Sequence, residues 1–299
     1  MERLSFNDEI QKNKIKSSLL MILVVLVIII LGYVISLALD PGYFFLIMIL
    51  AIIFSVSYTI IGYYNADKIA LASVNARPAN SSQHSMLINA VENMSIASGL
   101  PMPRVFVMES EQINAFASGR DPQHAVICVT TGALKKLNKQ ELEGVVAHEM
   151  GHVANFDIRF MSLVAILVGL VAIIAQIFLR SLWFRGNDNK SNNGNAIFLI
   201  IAVVFAILAP ITTQLVQLAI SRKREFGADA TGVKFTRYSP GLKSALMKIK
   251  KEQVPKEDLK RYSKALAPLF ISDPFKNKIS GLFSTHPNID ERIRRLERM

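Results

Sequence analysis

The stretch GVVAHEMGHVANFD, Gly144–Asp157, sets His148, Glu149 and His152 in the order H-E-x-x-H. With five histidines and thirteen glutamates in 299 residues, a shuffled chain would hold about 0.004 such matches, so coincidence is a poor account. Helix geometry gives a better one. An α-helix turns about 100° per residue, so positions four apart lie roughly 40° apart on one face. Two imidazoles placed this way can share one ion. The glutamate, one step around, stands where it can take a proton from a water beside that ion. The helix itself is well signalled. Asn138 is a good N-cap, Glu141 completes a capping-box pattern, and Leu142, Val146 and Val153 form an apolar stripe. The competing reading, a buried helix with two satisfied histidines, leaves the glutamate between them unexplained.

Outward from this helix the chain is unusually apolar, with 51% hydrophobic residues. Four stretches free of charge are predicted to span a membrane: Ser17–Leu39, Gly42–Ala66, Phe160–Leu179 and Ala196–Ile220. Each reaches the roughly 18–20 apolar residues that cross the hydrocarbon core. For the last two, which adjoin the motif, buried core helices are the alternative. Asp40-Pro41-Gly42 reads as a tight turn, so residues 17–66 are expected to stay in the protein as a helical hairpin and not as a cleaved leader.

Basic residues set the orientation. Arg3, Lys12, Lys14 and Lys16 precede the first stretch, Lys68 and Arg77 follow the second, and Arg222, Lys223 and Arg224 follow the fourth. The positive-inside rule puts both termini and the polar bulk in the cytoplasm. The connection Arg180–Asn195, with Arg180, Arg185 and Lys190, dissents and is outvoted. A single cysteine, Cys128, allows no intrachain disulfide and reads as a small buried hydrophobe. The net charge of +11 flanks membrane stretches without any aromatic-basic motif. It suits anionic headgroups, and no nucleic-acid partner is expected.

Four segments follow: a hairpin over 1–66, a first soluble part over 67–157, a second apolar pair with its connection over 158–220, and a second soluble part over 221–299. In the first soluble part Ser82–Ser98 has helical spacing and ends at Gly99-Leu100-Pro101. Arg104–Met108, Ile113–Ser118 and His124–Val129 read as strands, the last two joined as a hairpin. The second soluble part is mostly helical, with Pro240 at one helix start and Asn288 with Glu291 at another.

A catalytic zinc takes three protein ligands and keeps one position open. His84, His124, His286 and scattered acids are candidates for the third. The stretch SRKREFGADATG, Ser221–Gly232, is the most suggestive, because Glu225 and Asp229 share a helix face. One carboxylate of such a pair can bind metal while the other holds a ligand histidine by its second ring nitrogen. Spacing alone leaves a solvated acidic face equally open.

HEMGHVANFD, SRKREFGAD and STHPNIDERIRRL together resemble the HtpX family of membrane zinc metalloproteases, relatives of the CAAX prenyl proteases. The resemblance covers nearly the whole chain. It implies a mainly α membrane protein with four transmembrane helices and a cytoplasmic gluzincin-like α+β domain holding a small sheet. It implies His148, His152 and Glu225 as ligands of one zinc per chain, Glu149 as general base and acid, and Asp229 as the partner that orients His148. It places Asn114, Ala115 and Phe116, in INAFASG, beside the substrate, and makes His286, in STHP, an oxyanion-stabilising candidate against a plain capped turn. His84 and His124 match nothing in the family pattern. The implied function is multi-pass cell-membrane quality control, with membrane polypeptides as substrates. A narrow processing protease and a non-catalytic scaffold are the rivals.

Two geometric expectations follow. A substrate strand would pair with an exposed edge of the 113–118 strand. If the zinc helix ran unbroken into the third span, His152 would stand about 12 Å before Phe160, with Asn155, Arg159 and Ser162 continuing its face.

Overall fold

A computed structural model describes residues 6–38, 42, 44–184, 222–252, 269–271 and 288–299. The fourth apolar stretch, the loop at 186–195 and His286 fall outside the described residues, as does most of the Asp40-Pro41-Gly42 turn.

Among the described residues, two helices are long and apolar enough to cross a membrane: α1 (Phe6–Ala38), through its window Asn13–Ile30, and α2 (Phe44–Tyr64). They pack side by side, and many of their large apolar side chains face outward, among them Leu19, Ile22, Phe45, Ile53 and Ile61. Such a surface suits lipid. A short helix, α3 (Ala66–Ser73), leads into the polar part of the chain.

That part begins with a four-stranded sheet in the order β1-β2-β4-β3: β1 (Arg77–Pro78), β2 (Arg104–Met108), β3 (Ala115–Ser118) and β4 (Val126–Thr130). β3 and β4 pair antiparallel, as the hairpin reading requires, while β2 and β4 run parallel. Alternation along β4 serves two cores. Ile127 and Val129 join the core beneath α4 (Ser85–Ser98) and the motif helix, whereas Val126 and Cys128 join the one formed with α1 and residues 160–170. Cys128 is fully buried, and burial pushes its thiol pKa well up.

After α5 (Thr131–Lys136), the motif helix α6 runs Lys139–Ala154. Its capping box is complete. Asn138 Oδ1 accepts from the Glu141 amide at 2.9 Å, and Glu141 Oε2 accepts from the Asn138 amide at 2.8 Å; such a cap contributes about 1 kcal/mol. α7 spans Asp157–Phe184. Three more helices complete the described chain: α8 (Arg222–Thr236), α9 (Ser239–Lys251) and α10 (Ile289–Leu296).

The motif helix does not continue into α7. The two axes meet at 86° across Asn155–Phe156. Phe156 takes φ +59, a left-handed conformation that is uncommon for a bulky residue. Lys14 and Arg159 lie over its ring at 4.6 and 5.4 Å. The polar positions that an unbroken helix would aim at the metal are used elsewhere. Arg159 donates to the Arg120 carbonyl at 2.7 Å, and Ser162 meets Ser118 at 3.0 Å. They tie α7 to the end of β3.

The 113–118 strand presents no open edge at its start. Ala115–Ser118 are buried throughout, and Phe270 bridges Phe116 antiparallel on the side away from β4. The Ile271 amide donates to the Ala115 carbonyl at 3.0 Å. This pairing joins segments more than 150 residues apart, so no local spacing announces it.

Candidate metal centre and active site

α6 and α8 cross closely because both carry glycine at the contact. A Cβ on Gly151 would stand 2.8 Å from the Ala228 carbonyl oxygen, and one on Gly232 would stand 3.0 Å from the His148 amide. Glu225, Ala228, Asp229 and Gly232 form the buried face of α8, following helical spacing. This crossing brings Glu225 against the two histidines.

Both imidazoles are oriented alike. His148 Nδ1 lies 2.9 Å from Asp229 Oδ1, and His152 Nδ1 lies 3.0 Å from Asp157 Oδ2. With each Nδ1–H donated to an aspartate, each Nε2 is left to face Glu225: His148 Nε2 at 3.7 Å from Oε2, His152 Nε2 at 3.6 Å from Oε1. One ligand atom from each of the three residues falls within 4.8 Å of the others, all three side chains being buried. The ligand atoms of a tetrahedral zinc, at roughly 2.0–2.2 Å from the ion, lie about 3.3–3.6 Å apart. The separations of 3.6 and 3.7 Å between the imidazoles and Glu225 fall close to that spacing.

Arg292, from α10, completes the surroundings. Only 2% exposed, it donates from Nε and Nη2 to the two Asp229 oxygens at 2.9 and 2.7 Å. Its Nη1 lies 3.1 Å from Glu225 Oε2 and donates to the Ile271 carbonyl at 3.3 Å. Its Nη2 is 3.3 Å from His148 Nδ1. Burial first, and this guanidinium second, press the His148 pKa down to about 4. Burial also opposes charge on His152, but the Asp157 hydrogen bond and the charge of Glu225 outweigh it and lift that pKa to about 9.

Glu149 is 1% exposed. Neither of its carboxylate oxygens meets a hydrogen-bond partner of ordinary geometry among the described residues, although the Ala117 amide slightly favours the charged form. Burial raises its pKa to about 7, with the charge of Glu225 adding to the rise and His152 opposing it. Glu149, Asp157, Glu225 and Asp229 are thus four buried carboxylates around two histidines. Burying so much negative charge is costly unless cations compensate. Arg292 supplies one positive charge, and a divalent ion would offset most of the remainder. The donor set of two histidine nitrogens and one carboxylate suits zinc.

The remaining sequence candidates among the described residues fall in two places, the sheet beside α6 and the surface. Asn114 is buried, its Oδ1 accepting from the Ala115 amide at 3.0 Å, and with Ala115 and Phe116 it belongs to the sheet that backs α6. His84 Nδ1 accepts from the Asn80 amide at a surface turn, and His124 pairs with Asp121 at the surface. Asp157 and Arg292 are site residues that spacing did not single out.

Residues 81–299 match the family described as Peptidase family M48. A "Protease HtpX homolog" from Thermoanaerobacter pseudethanolicus is 46% identical over 269 residues, covering 86% of this chain and 88% of that protein. A "Protease HtpX homolog" from Tropheryma whipplei strain Twist is 42% identical over 291 residues, 97% of each chain. Among solved structures, the crystal structure of S. mikatae Ste24p aligns with TM-score 0.48 at 18% identity, covering 95% of this chain and 65% of that one. With the family matched across most of its length, and with the H-E-x-x-H helix and Glu225 converging as that chemistry requires, the chain belongs to peptidase family M48 and its HtpX group of membrane metalloendopeptidases.

Proposed function

We propose that the protein is an integral membrane endopeptidase that holds one zinc per chain and cuts misfolded or damaged membrane polypeptides on the cytoplasmic side of the cell membrane. The observation that carries the catalytic part is the convergence of His148 Nε2, His152 Nε2 and Glu225 beside the buried Glu149 carboxylate. The flanking apolar helices and the basic residues at their ends support the membrane setting and its orientation.

In this reading His148, His152 and Glu225 hold the metal, and Asp229 and Asp157 fix the imidazole tautomers. Zinc supplies Lewis acidity, both for the attacking water and for the scissile carbonyl. Glu149 Oε takes the proton of that water and returns it to the departing amine. In the metal-free site burial is the main cause that raises the pKa of this carboxylate. Arg292 compensates Asp229 and Glu225 without reaching for substrate. His286 remains a candidate donor to the developing oxyanion. Asn114, Ala115 and Phe116 support the wall beside the cleft.

Glu149→Gln tests this. The variant is expected to keep one zinc per chain in detergent and to lose at least about a hundredfold in cleavage of an unfolded membrane polypeptide, the usual scale of general acid–base catalysis. Near-normal turnover by the folded, zinc-loaded variant would sink the assignment.

A further inference from the structure

α1 does more than span the apolar layer. Asn13 opens its candidate membrane window and is 5% exposed. Its Nδ2 donates to Asp157 Oδ1 at 2.8 Å and to the Asn155 carbonyl at 2.9 Å. Both partners are acceptors only, so the amide must present its NH2 group to them, and both hydrogens are used. Ser17, one turn on, donates to the Asn13 carbonyl at 2.8 Å and shares the buried face of α1 with Leu20. Lys14, the next residue, lies over the Phe156 ring. α1 therefore grips the junction between α6 and α7 where the backbone is left-handed.

The far side of that grip is the metal centre. Asp157 divides its two oxygens, giving Oδ1 to Asn13 and Oδ2 to His152 Nδ1 at 3.0 Å. A carboxylate held at one oxygen has less freedom to swing at the other. We propose that Asn13, on the first membrane helix and 144 residues from Asp157, is a positioning residue for the metal ligand His152, acting through Asp157. The placement couples α1 to the zinc site with a single side chain between them. Asn13 stands among the charged residues that open α1 and, unlike Lys14 and Lys16, it is buried. A polar group there has an acceptor on each side and faces protein instead of lipid.

This inference rests on the zinc reading above, and its test separates the two. Full-length wild type, Asn13→Ala, Asp157→Ala and the double variant are purified in detergent, and Zn2+ affinity is measured by competition with a fluorescent chelator. Thermal midpoints are recorded alongside. Removing an outer partner of a ligand typically weakens metal binding about 10–100-fold. Asn13 is one bond further out, so Asn13→Ala should weaken it by roughly 3–10-fold. In the Asp157→Ala background the same substitution should change affinity by less than about twofold, because the path is already cut. The exchange Asn13→Asp with Asp157→Asn offers a rescue. It keeps an acceptor for His152 Nδ1 and a hydrogen bond between the two positions, so its affinity should exceed that of Asn13→Asp alone, where two carboxylates would face each other. An unchanged affinity in Asn13→Ala overturns the proposal. So does an equal loss in both backgrounds, which would assign Asn13 to the Asn155 carbonyl and to helix packing alone. A wild type that holds no zinc would overturn the metalloprotease reading itself, and this inference with it.

Discussion

The two histidines of the candidate metal centre sit in matched settings with unlike backing. His148 leans on Asp229, and behind Asp229 stands the guanidinium of Arg292. His152 leans on Asp157, and behind Asp157 stands the neutral amide of Asn13. One arm is closed by a charge brought in from α10, the other by a hydrogen-bonding group brought in from a membrane helix. The imidazoles differ as well. Burial and then Arg292 press the His148 pKa down, whereas on His152 the Asp157 hydrogen bond and the charge of Glu225 outweigh burial and raise it.

Breaking the centre itself should have the largest effect. Glu225→Ala removes the group on which both Nε2 atoms converge, and zinc affinity should fall beyond the roughly hundredfold ceiling of an outer partner; metal analysis of the purified variant measures it, and full occupancy would place the third ligand elsewhere. The two arms should then separate. Asp229→Ala is expected to cost close to a hundredfold, since it leaves Arg292 buried beside His148 with Glu225 as its remaining carboxylate partner, whereas Asp157→Ala leaves only a neutral amide and should cost nearer tenfold. Chelator competition on the two variants checks the ranking, and equal losses would show that the backing groups do not matter. The smallest effect sharpens the comparison. Adding Arg292→Ala to Asp229→Ala removes the buried cation, so the double variant should regain part of the loss, by about threefold or more. A further fall would mean that Arg292 supports Glu225 more than it disturbs His148.

Much of this centre is legible in the chain because helices keep a period. His148, Glu149 and His152 need only that period, and so does the pairing of Glu225 with Asp229 on one face of α8. The N-cap at Asn138 and the strand at Arg104–Met108 are equally local and fall where the sequence puts them. Asp157 escapes such reading for a physical reason. On an unbroken helix, five residues past His152, it would sit about 140° around the axis. Only the left-handed turn at Phe156 returns it to the imidazole. Arg292 left a fainter signal. It lies between Ile289 and Leu296 at helical spacing, on the side of α10 that packs inward, while Arg294 and Arg295 face solvent. In a run so rich in arginine that position reads as surface. Asn13 and the pairing of Phe270 with Phe116 join distant segments, and nothing in their neighbourhoods announces either contact.

The 86° bend between α6 and α7 would govern how the metal centre meets a bilayer. Were α7 upright in a membrane, the turn would lay α6 almost flat along its surface. His148 and His152 would then sit at nearly one depth, and moving along the helix would mean travelling sideways instead of away from the lipid. A chain entering the cleft along α6 would be read parallel to the membrane plane, at one height from end to end. Such a layout meets a polypeptide that lies along the surface more readily than one projecting straight outward.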